Sequence, residues 1–183
     1  MSEYKFMLKR IQKLIIDVPD FPKPGVLFKD ISPIFGDQSE LRNLISMQAR
    51  WIKESGRPLD KIVAIESRGF LLGTLLAYET GLPLILARKA GKLPREVVHQ
   101  DYGLEYGKDR IEIHKDDIKT DENILIVDDV LATGGTAVAV AEIVKTLEGN
   151  ITGFWFLMEI EGLEGRDKII YSTGIDKSDI EVV

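Results

Sequence analysis

The sequence predicts an α/β fold in which a twisted, parallel-rich sheet is flanked by helices. Between residues 62 and 158, short apolar stretches rich in β-branched residues alternate with segments of helical period, as in βαβ units. Hydrophobic residues make up 44% and charged residues 30% of the 183 residues, which is ordinary for a soluble globular protein. This length suits a single domain, residues 1–183, with ligands at the carboxyl ends of the strands.

The N-terminal part of the chain is predicted to hold two helices separated by a rigid connector. Residues 3–16 place apolar side chains at helical spacing, which predicts an amphipathic helix. Residues 17–25 contain three prolines and one glycine and are predicted to be extended or turning. Residues 39–55 predict a second helix, whose start stays open because Ser39 and Arg42 do not complete a capping box.

The remaining elements alternate between strands and helices. Strands are predicted at 62–65, 84–87, 111–113, 124–127 and 151–158, and helices at 69–79, closed by Gly81, and at 137–148, ended by Gly149. Residues 89–110 are polar and show no clear period, so they are predicted to form a long loop. Such loops inside compact domains are usually functional or disordered.

Composition excludes several classes of function. A net charge of −6 and a pI near 5.1 argue against a nucleic-acid binder. The chain has no cysteine, which excludes disulfides and thiolate zinc sites, and its two histidines stand apart. No apolar run approaches the ~20 residues of a membrane span, and a cytoplasmic protein is predicted.

Residues 124–136 carry the most specific chemical pattern of the chain. An apolar strand runs into two adjacent carboxylates and then into a small-residue turn before a helix. Such a turn lets backbone N–H groups converge on an anion, whereas two carboxylates accept hydrogen bonds from a diol and help to hold a metal-bound sugar phosphate. The pattern indicates a phosphorylated ribose, bound by Asp128, Asp129, Ala132, Thr133, Gly134, Gly135 and Thr136.

The same run of residues bears on other kinds of nucleotide site. Neither G-x-x-x-x-G-K-[ST] nor G-x-G-x-x-G occurs in the chain, so the fingerprints of nucleotide triphosphatases and dinucleotide-binding proteins are missing. The alternative is an ordinary βα turn, in which the aspartates cap the helix and the glycines only allow the chain to bend.

A second strand end carries a second anion-binding pattern. Glu66, Ser67, Arg68 and Gly69 follow the strand that ends at Ile65. A polar turn at a helix start offers backbone N–H groups to an anion, and Arg68 can add charge-assisted hydrogen bonds to it. The alternative is a helix capped by Ser67, with Arg68 on the surface.

Three more segments are ambiguous when each is considered alone. Residues 21–33 suit a rigid connector followed by an apolar strand, and residues 102–108 suit a hairpin with exposed aromatic side chains. Arg88, Lys89 and Lys92 form a basic cluster that fits a small anionic ligand.

Together these motifs resemble the adenine phosphoribosyltransferases, type I phosphoribosyltransferases with a small N-terminal hood. The run Asp128 to Thr136 alone is similar to the whole phosphoribosyltransferase superfamily. The segments 21–33, 66–70 and 102–108 resemble the hood over the base, the pyrophosphate turn and the catalytic loop of the adenine branch. The resemblance implies a hood at about 1–35 and a flexible catalytic loop at about 89–110. Family members often hold a strained, sometimes cis, peptide in the pyrophosphate turn.

The resemblance also implies roles for individual residues. Glu105 is the acid/base candidate, Tyr106 lies near the sugar and the base, and Lys29 stands where many relatives carry Arg, which is not equivalent to Lys at a planar contact. Leu27 would offer backbone groups to adenine and Phe28 an apolar face. The implied pyrophosphate-binding residues are Glu66, Ser67, Arg68, Lys92 and Tyr106, and the adenine-binding residues are Leu27, Phe28 and Lys29.

The implied reaction is purine salvage, in which adenine and 5-phosphoribosyl pyrophosphate give AMP and pyrophosphate with Mg²⁺ as cofactor. Mg²⁺ would be held mainly through substrate oxygens rather than by a protein cage, and a homodimer is expected. Two alternatives stay open: a phosphoribosyltransferase for another purine base, and a regulator that binds phosphoribosyl pyrophosphate without turnover.

Overall fold

The computed structural model describes residues 3–104 and 107–183. The chain divides into two compact units, Met1–Ser55 and Gly56–Val183. The single-domain organisation and the hood at about 1–35 stay predictions. Within the described ranges, no helix is both long enough and apolar enough to cross a membrane.

The first unit contains three helices and a two-stranded hairpin. Its elements are α1 (Glu3–Gln12), β1 (Ile16–Pro19), β2 (Leu27–Asp30), α2 (Ser32–Gly36) and α3 (Gln38–Ser55). The first helix is shorter than predicted, because Ile16 already belongs to β1 and pairs with Asp30 of β2. The start of α3 is set by Asp37, whose carboxylate accepts hydrogen bonds from the backbone N–H groups of Ser39 and Glu40, at 3.0 Å each.

The second unit is built on a seven-stranded sheet. Its strands are β3 (Lys61–Ile65), β4 (Leu84–Lys89), β5 (Val97–Leu104), β6 (Gly107–His114), β7 (Asn123–Leu131), β8 (Asn150–Glu159) and β9 (Ile180–Val182). Its helices are α4 (Arg68–Thr80), α5 (Gly135–Thr146) and α6 (Gly165–Thr173). The strand order is β5-β6-β4-β3-β7-β8-β9; among the described strands, the β4–β6 and β5–β6 pairs are antiparallel and the others are parallel. The predicted α/β class with a parallel-rich sheet is confirmed.

The core of this unit explains why its central strands are apolar on both faces. In β3, Ile62 to Ile65 are essentially inaccessible, as are Ile124 to Val127 in β7. β3 pairs in parallel with β7 in the register Ala64–Val127, and α4 packs against both strands. Burial on both faces leaves no room for polar alternation, and the continuous apolar runs follow from this.

The predicted long loop at 89–110 is wrong as a description of local structure. Most of it forms β5 and the start of β6, an antiparallel pair whose register runs from Val97–His114 to Leu104–Gly107. The ribbon lies at the edge of the sheet, and exposed charged side chains such as Asp101 and Arg110, an ion pair of 2.7 Å, hide its period in the sequence. The hairpin interpretation of 102–108 fits the described strands, whereas Glu105 and Tyr106 lie outside the described residues.

Candidate active site

The two chemical motifs of the sequence meet at the carboxyl ends of neighbouring strands. β3 ends at Ile65 and leads into Glu66, Ser67 and Arg68, while the adjacent β7 carries Asp128 and Asp129. An Nη2 atom of Arg68 lies 2.7 Å from Oδ2 of Asp129. The parallel register of β3 and β7 thus brings the pyrophosphate-turn arginine to the acidic pair.

The acidic pair lies inside a strand rather than after it. The strand predicted at 124–127 extends through Leu131, and Asp128 pairs with Phe156 of β8. Asp128 accepts a hydrogen bond of 2.9 Å from the N–H of Asp129 through Oδ1. The sequence pattern missed this extension because two successive carboxylates interrupt the apolar run.

The two carboxylates are electrostatically unequal. Burial raises the pKa of Asp128 well above its usual range, the negative charge of Asp129 raises it further, and the positive charge of Arg68 opposes the shift. Asp129 is buried, and its Oδ2 contacts Arg68 as an ion pair whose angles fall outside hydrogen-bond geometry. A buried acceptor of this kind is available to a ligand hydroxyl.

α4 approaches the acidic pair so closely that a side chain at Gly69 would collide with Asp128. A β-carbon at this position would lie 2.8 Å from Oδ1 and 3.1 Å from Cα of Asp128. The peptide bond between Glu66 and Ser67 is cis, a form that the resemblance implied for this turn. Ser67 occupies the N-cap position of α4, as the capping alternative expects, but its side chain makes no cap hydrogen bond, and Arg68 pairs with Asp129.

The glycine-rich turn forms the N-terminus of α5. Gly134, with φ of 73°, occupies the N-cap position, and α5 begins at Gly135. Glycine has no side-chain acceptor, so the cap leaves the first N–H groups of the helix to an anion. The alternative in which Asp128 or Asp129 caps this helix is wrong, because the N-cap residue is Gly134.

Glu66 contacts all three residues of the basic cluster, Arg88, Lys89 and Lys92. Its carboxylate forms an ion pair with the ammonium group of Lys92, lies 3.4 Å from Nε of Arg88 and accepts a 3.0 Å hydrogen bond from the N–H of Lys89. Burial opposes ionisation, but the hydrogen bonds from Lys92 and Lys89 and the two positive charges hold the pKa of Glu66 below its ordinary value. Glu66 therefore fixes cations in place.

The β5–β6 hairpin reaches the glycine-rich turn through a chain of polar contacts. The hydroxyl of Tyr102 donates a hydrogen bond of 3.2 Å to Asp109, and Nζ of Lys89 lies 3.0 Å from the same carboxylate. The side chain of Thr136 also lies near the Tyr102 hydroxyl. Tyr102 belongs to the segment 102–108 that resembles the catalytic loop, whereas sequence reasoning missed Asp109, which only the pairing of β5 with β6 brings opposite Tyr102.

The predicted adenine-binding residues lie in the first unit. Leu27, Phe28 and Lys29 belong to β2, with Leu27 largely exposed. The ring of Phe28 meets that of Phe21 edge-on, with centroids 5.1 Å apart, and Nζ of Lys29 lies 2.6 Å from Oδ1 of Asp17. The binding role of these residues stays a prediction, as does that of Glu105 and Tyr106.

Comparisons with known proteins place the chain in a family. A model described as the phosphoribosyl transferase domain matches residues 37–180. The adenine phosphoribosyltransferase of Natranaerobius thermophilus is 50% identical over 164 residues, which cover 89% of this chain and 94% of that protein.

Two solved structures share the fold over nearly their full lengths. The adenine phosphoribosyltransferase of Thermoanaerobacter pseudethanolicus has a TM-score of 0.87 at 43% identity, covering 96% of this chain and 97% of that one. The enzyme of Saccharomyces cerevisiae, complexed with D-2,5-dideoxy-2,5-imino-altritol 1,6-bisphosphate and adenine, has a TM-score of 0.88 at 37% identity, covering 98% of both chains. The chain therefore belongs to the adenine phosphoribosyltransferases, within the phosphoribosyltransferase family.

Proposed function

We propose that this protein transfers the 5-phosphoribosyl group of 5-phosphoribosyl pyrophosphate to adenine, giving AMP and pyrophosphate in purine salvage. The observation that carries the proposal is the 2.7 Å contact between Arg68 and Asp129. It places a cation suited to a departing anion beside an acidic pair, half-buried at Asp128 and buried at Asp129, that is suited to ribose hydroxyls. Relatives named adenine phosphoribosyltransferase, one of them solved with adenine, support the choice of base.

The phosphorylated ribose would bind across β7 and the start of α5. The free N–H groups at the helix start and the hydroxyls of Thr133 and Thr136 suit the 5-phosphate, because backbone donors and the helix dipole favour an anion there. Asp128 and Asp129 suit the ribose hydroxyls. Each carboxylate accepts hydrogen bonds, and both place negative charge near a sugar that becomes cationic as the bond to pyrophosphate breaks.

The pyrophosphate would leave toward the turn after β3. Arg68 offers a planar, permanently charged donor set, and its neighbour in the turn, Ser67, offers a backbone N–H group, whereas the N–H of Glu66 already donates to the carbonyl oxygen of Ala87 at 3.0 Å. Lys92 supplies a second cation that Glu66 holds in place. Glu66 thus acts on pyrophosphate through Lys92 and Arg88 rather than through its own carboxylate.

The donor set of the site fits Mg²⁺ held jointly with the substrate. Asp128 and Asp129 present hard oxygen donors, and the pKa of Asp128 is raised by burial and then by the negative charge of Asp129, a repulsion that a cation would relieve. In the ranges that the structure describes, no three His, Cys or acidic side chains gather as a metal cage. Bound Mg²⁺ would neutralise developing negative charge on the pyrophosphate oxygens.

The residues proposed to bind and protonate or deprotonate adenine are those that the sequence resemblance indicates. Leu27 would present backbone groups to the adenine edge, with Phe28 and Lys29 beside the ring. Such a backbone donor–acceptor pair rejects a 6-oxo purine, because the wrong base leaves polar groups unpaired. Glu105 would take or relay a proton at an adenine nitrogen, an effect typically worth ~10²–10⁴-fold. Tyr106 would contact the donor from the same segment.

A turnover assay with separate bases tests the proposal. Adenine, hypoxanthine and guanine are each offered with 5-phosphoribosyl pyrophosphate and Mg²⁺, and the nucleotide product is quantified. AMP from adenine, without product from the other bases, is the expected result. Product from hypoxanthine or guanine would instead indicate another purine specificity, and donor binding without any product would indicate the regulator.

Location and assembly complete the proposal. We expect a cytoplasmic protein, since the chain has no cysteine and an acidic balance typical of soluble enzymes. A homodimer follows from the family resemblance. Sedimentation velocity at micromolar concentration distinguishes a dimer from a monomer of 20.6 kDa.

A further inference from the structure

The N-terminal turn of α6 packs directly on the glycine-rich turn before α5. A β-carbon at Gly134 would lie 2.6 Å from the carbonyl oxygen of Gly165. A β-carbon at Gly165 would in turn collide with the carbonyl oxygen of Ala132 and lie 2.9 Å from Cδ1 of Leu131. Two glycines therefore permit a backbone-to-backbone contact, which fixes α6 against the turn that is expected to hold phosphate.

One lysine of α6 extends from this contact toward the start of α5. Lys168 lies one helical turn after Gly165, so its side chain shares the face that meets the turn. Its Nζ atom is 3.6 Å from the position that a β-carbon of Gly135 would occupy, and Oγ1 of Thr133 is 3.7 Å from that same position. The ammonium group thus stands beside the first N–H groups of α5.

The charge of Lys168 is not balanced by an acid in the described part of the chain. The other cations near the site are paired: Arg68 with Asp129, Lys89 with Asp109, and both Arg88 and Lys92 with Glu66. For Lys168 no such ion pair is present among the described residues, and its side chain is exposed. Arg166, its neighbour on α6, is held by Glu159 at 2.8 Å.

This arrangement is electrostatically unfavourable without a ligand. The N-terminus of a helix carries partial positive charge, so a lysine beside it adds like charge to like charge. An anion bound between the ammonium group and the helix start would reverse that interaction. The residues that converge there, Lys168, Thr133 and the turn amides, offer donors to a phosphate.

We infer that Lys168 is a further donor-binding residue, which contacts the 5-phosphate of the phosphoribosyl group together with the glycine-rich turn. The inference rests on the proposed function of that turn. It also gives residues of the C-terminal segment, 161–183, a role for which the sequence alone offers no pattern.

Calorimetric titration of three variants tests this role. Lys168→Met removes the charge at similar length, Lys168→Arg keeps it, and Lys177→Met is the matched control, because Lys177 is an exposed lysine of the same C-terminal segment. Ribose 5-phosphate probes the 5-phosphate site alone, and inorganic pyrophosphate probes the other half. Thermal unfolding of each variant reports whether α6 stays docked.

The expected result is specific to one probe and one variant. Lys168→Met should bind ribose 5-phosphate about ten-fold more weakly, as befits the loss of a charge-assisted contact. Its affinity for pyrophosphate should be unchanged. The affinity of Lys168→Arg for ribose 5-phosphate should lie within about three-fold of the wild-type value, and that of Lys177→Met should equal it. Unchanged ribose 5-phosphate binding in Lys168→Met would overturn the inference. So would an equal loss for both probes, or a lowered Tm that Lys168→Arg does not restore.

The readouts separate this inference from the proposed function. If wild type forms AMP and Lys168→Met binds ribose 5-phosphate normally, the function stands and the role of Lys168 falls. If wild type forms no nucleotide but Lys168→Met loses ribose 5-phosphate selectively, the role of Lys168 stands and the function falls.

Discussion

Arg68 Nη2 lies 2.7 Å from Asp129 Oδ2, so the turn after β3 and the acidic pair of β7 are joined by an ion pair. The contact is largely buried on the side of the aspartate, where water screens it less than at the surface. It sets the position of the arginine that we assign to pyrophosphate relative to the carboxylates that we assign to ribose. This ion pair therefore holds the pyrophosphate half and the ribose half of the proposed donor site together.

Replacing Arg68 by methionine should weaken pyrophosphate binding. The variant removes a charged donor, and loss of such a contact typically costs about ten-fold or more in affinity. Arg95→Met is the control, because Arg95 forms a similar 2.8 Å ion pair with Asp117 elsewhere in the second unit. Calorimetry with pyrophosphate measures both; equal affinities of the two variants would remove Arg68 from this role.

Asp128→Asn should make the protein more stable than wild type, by a margin that grows with pH. The pKa of Asp128 is raised by burial and by Asp129, so the folded state holds its proton more tightly than the unfolded state does. That stabilisation is present below the ordinary aspartate pKa and is lost as pH rises through the raised value. An asparagine does not titrate, so the variant does not lose stability in this way as pH rises. Its activity should nevertheless fall, because the ribose hydroxyls lose one carboxylate acceptor.

Asp176→Asn provides the control of opposite sign. Hydrogen bonds from the backbone N–H and side chain of Ser178 lower the pKa of Asp176, so its stabilisation is present above the ordinary pKa and lost as pH falls. Chemical denaturation across a pH series measures the free energy of unfolding of both variants. A margin for Asp128→Asn that shrinks as pH rises would contradict the assignment of a raised pKa.

Gly69→Ala should lower activity much more than its single added carbon suggests. The new β-carbon would meet Asp128 at 2.8 Å from Oδ1 and 3.1 Å from Cα, so the carboxylate or α4 must move, and misplacement by ~1 Å can cost ~10²-fold in rate. Gly36→Ala is the control, since a β-carbon there meets nothing within 4 Å. Steady-state kcat/KM is measured for both variants. Equal values for Gly69→Ala and Gly36→Ala would show that α4 moves to accept the β-carbon without disturbing the site.

Tyr102→Phe should tighten the binding of ribose 5-phosphate. The Tyr102 hydroxyl bonds Asp109 and lies near the side chain of Thr136, and a phosphate at the start of α5 must compete for the threonine hydroxyl. Releasing one net hydrogen bond of ~1 kcal/mol predicts about five-fold tighter binding. Tyr78→Phe, at a largely exposed position of α4, is the control. Weaker binding in Tyr102→Phe would show that the phenol supports the site.

The sequence predicts most elements of this fold but fewer of the contacts that make the site. Continuous apolar runs revealed β3, β7 and β8, because a strand buried on both faces has no polar alternation. The 89–110 ribbon was missed, since its charged edge obscures the two-residue period. The helix α6 was missed for a similar reason: only Gly165 and Ile169 of its nine residues are buried, which leaves a weak helical pattern.

Contacts between distant residues were beyond the sequence pattern. The motifs predicted that Arg68 and the acidic pair belong to one site, but their ion pair depends on the parallel register of β3 and β7. Glu66 is expected among the pyrophosphate-binding residues, and only the fold shows that its carboxylate is engaged with Lys92 and Arg88. The approach of Lys168 to Gly135 depends on the docking of α6, which no local motif encodes.

Quantifying AMP and pyrophosphate from adenine and 5-phosphoribosyl pyrophosphate with Mg²⁺, in wild type and in the double variant Arg68→Met/Asp129→Asn, tests the assignment of this site most directly. Wild type should form the two products in equal amounts, and the double variant, folded by circular dichroism, should lose nearly all turnover. Equal rates in the two proteins, or no AMP from wild type, would contradict a phosphoribosyl-transfer site built on Arg68 and Asp129.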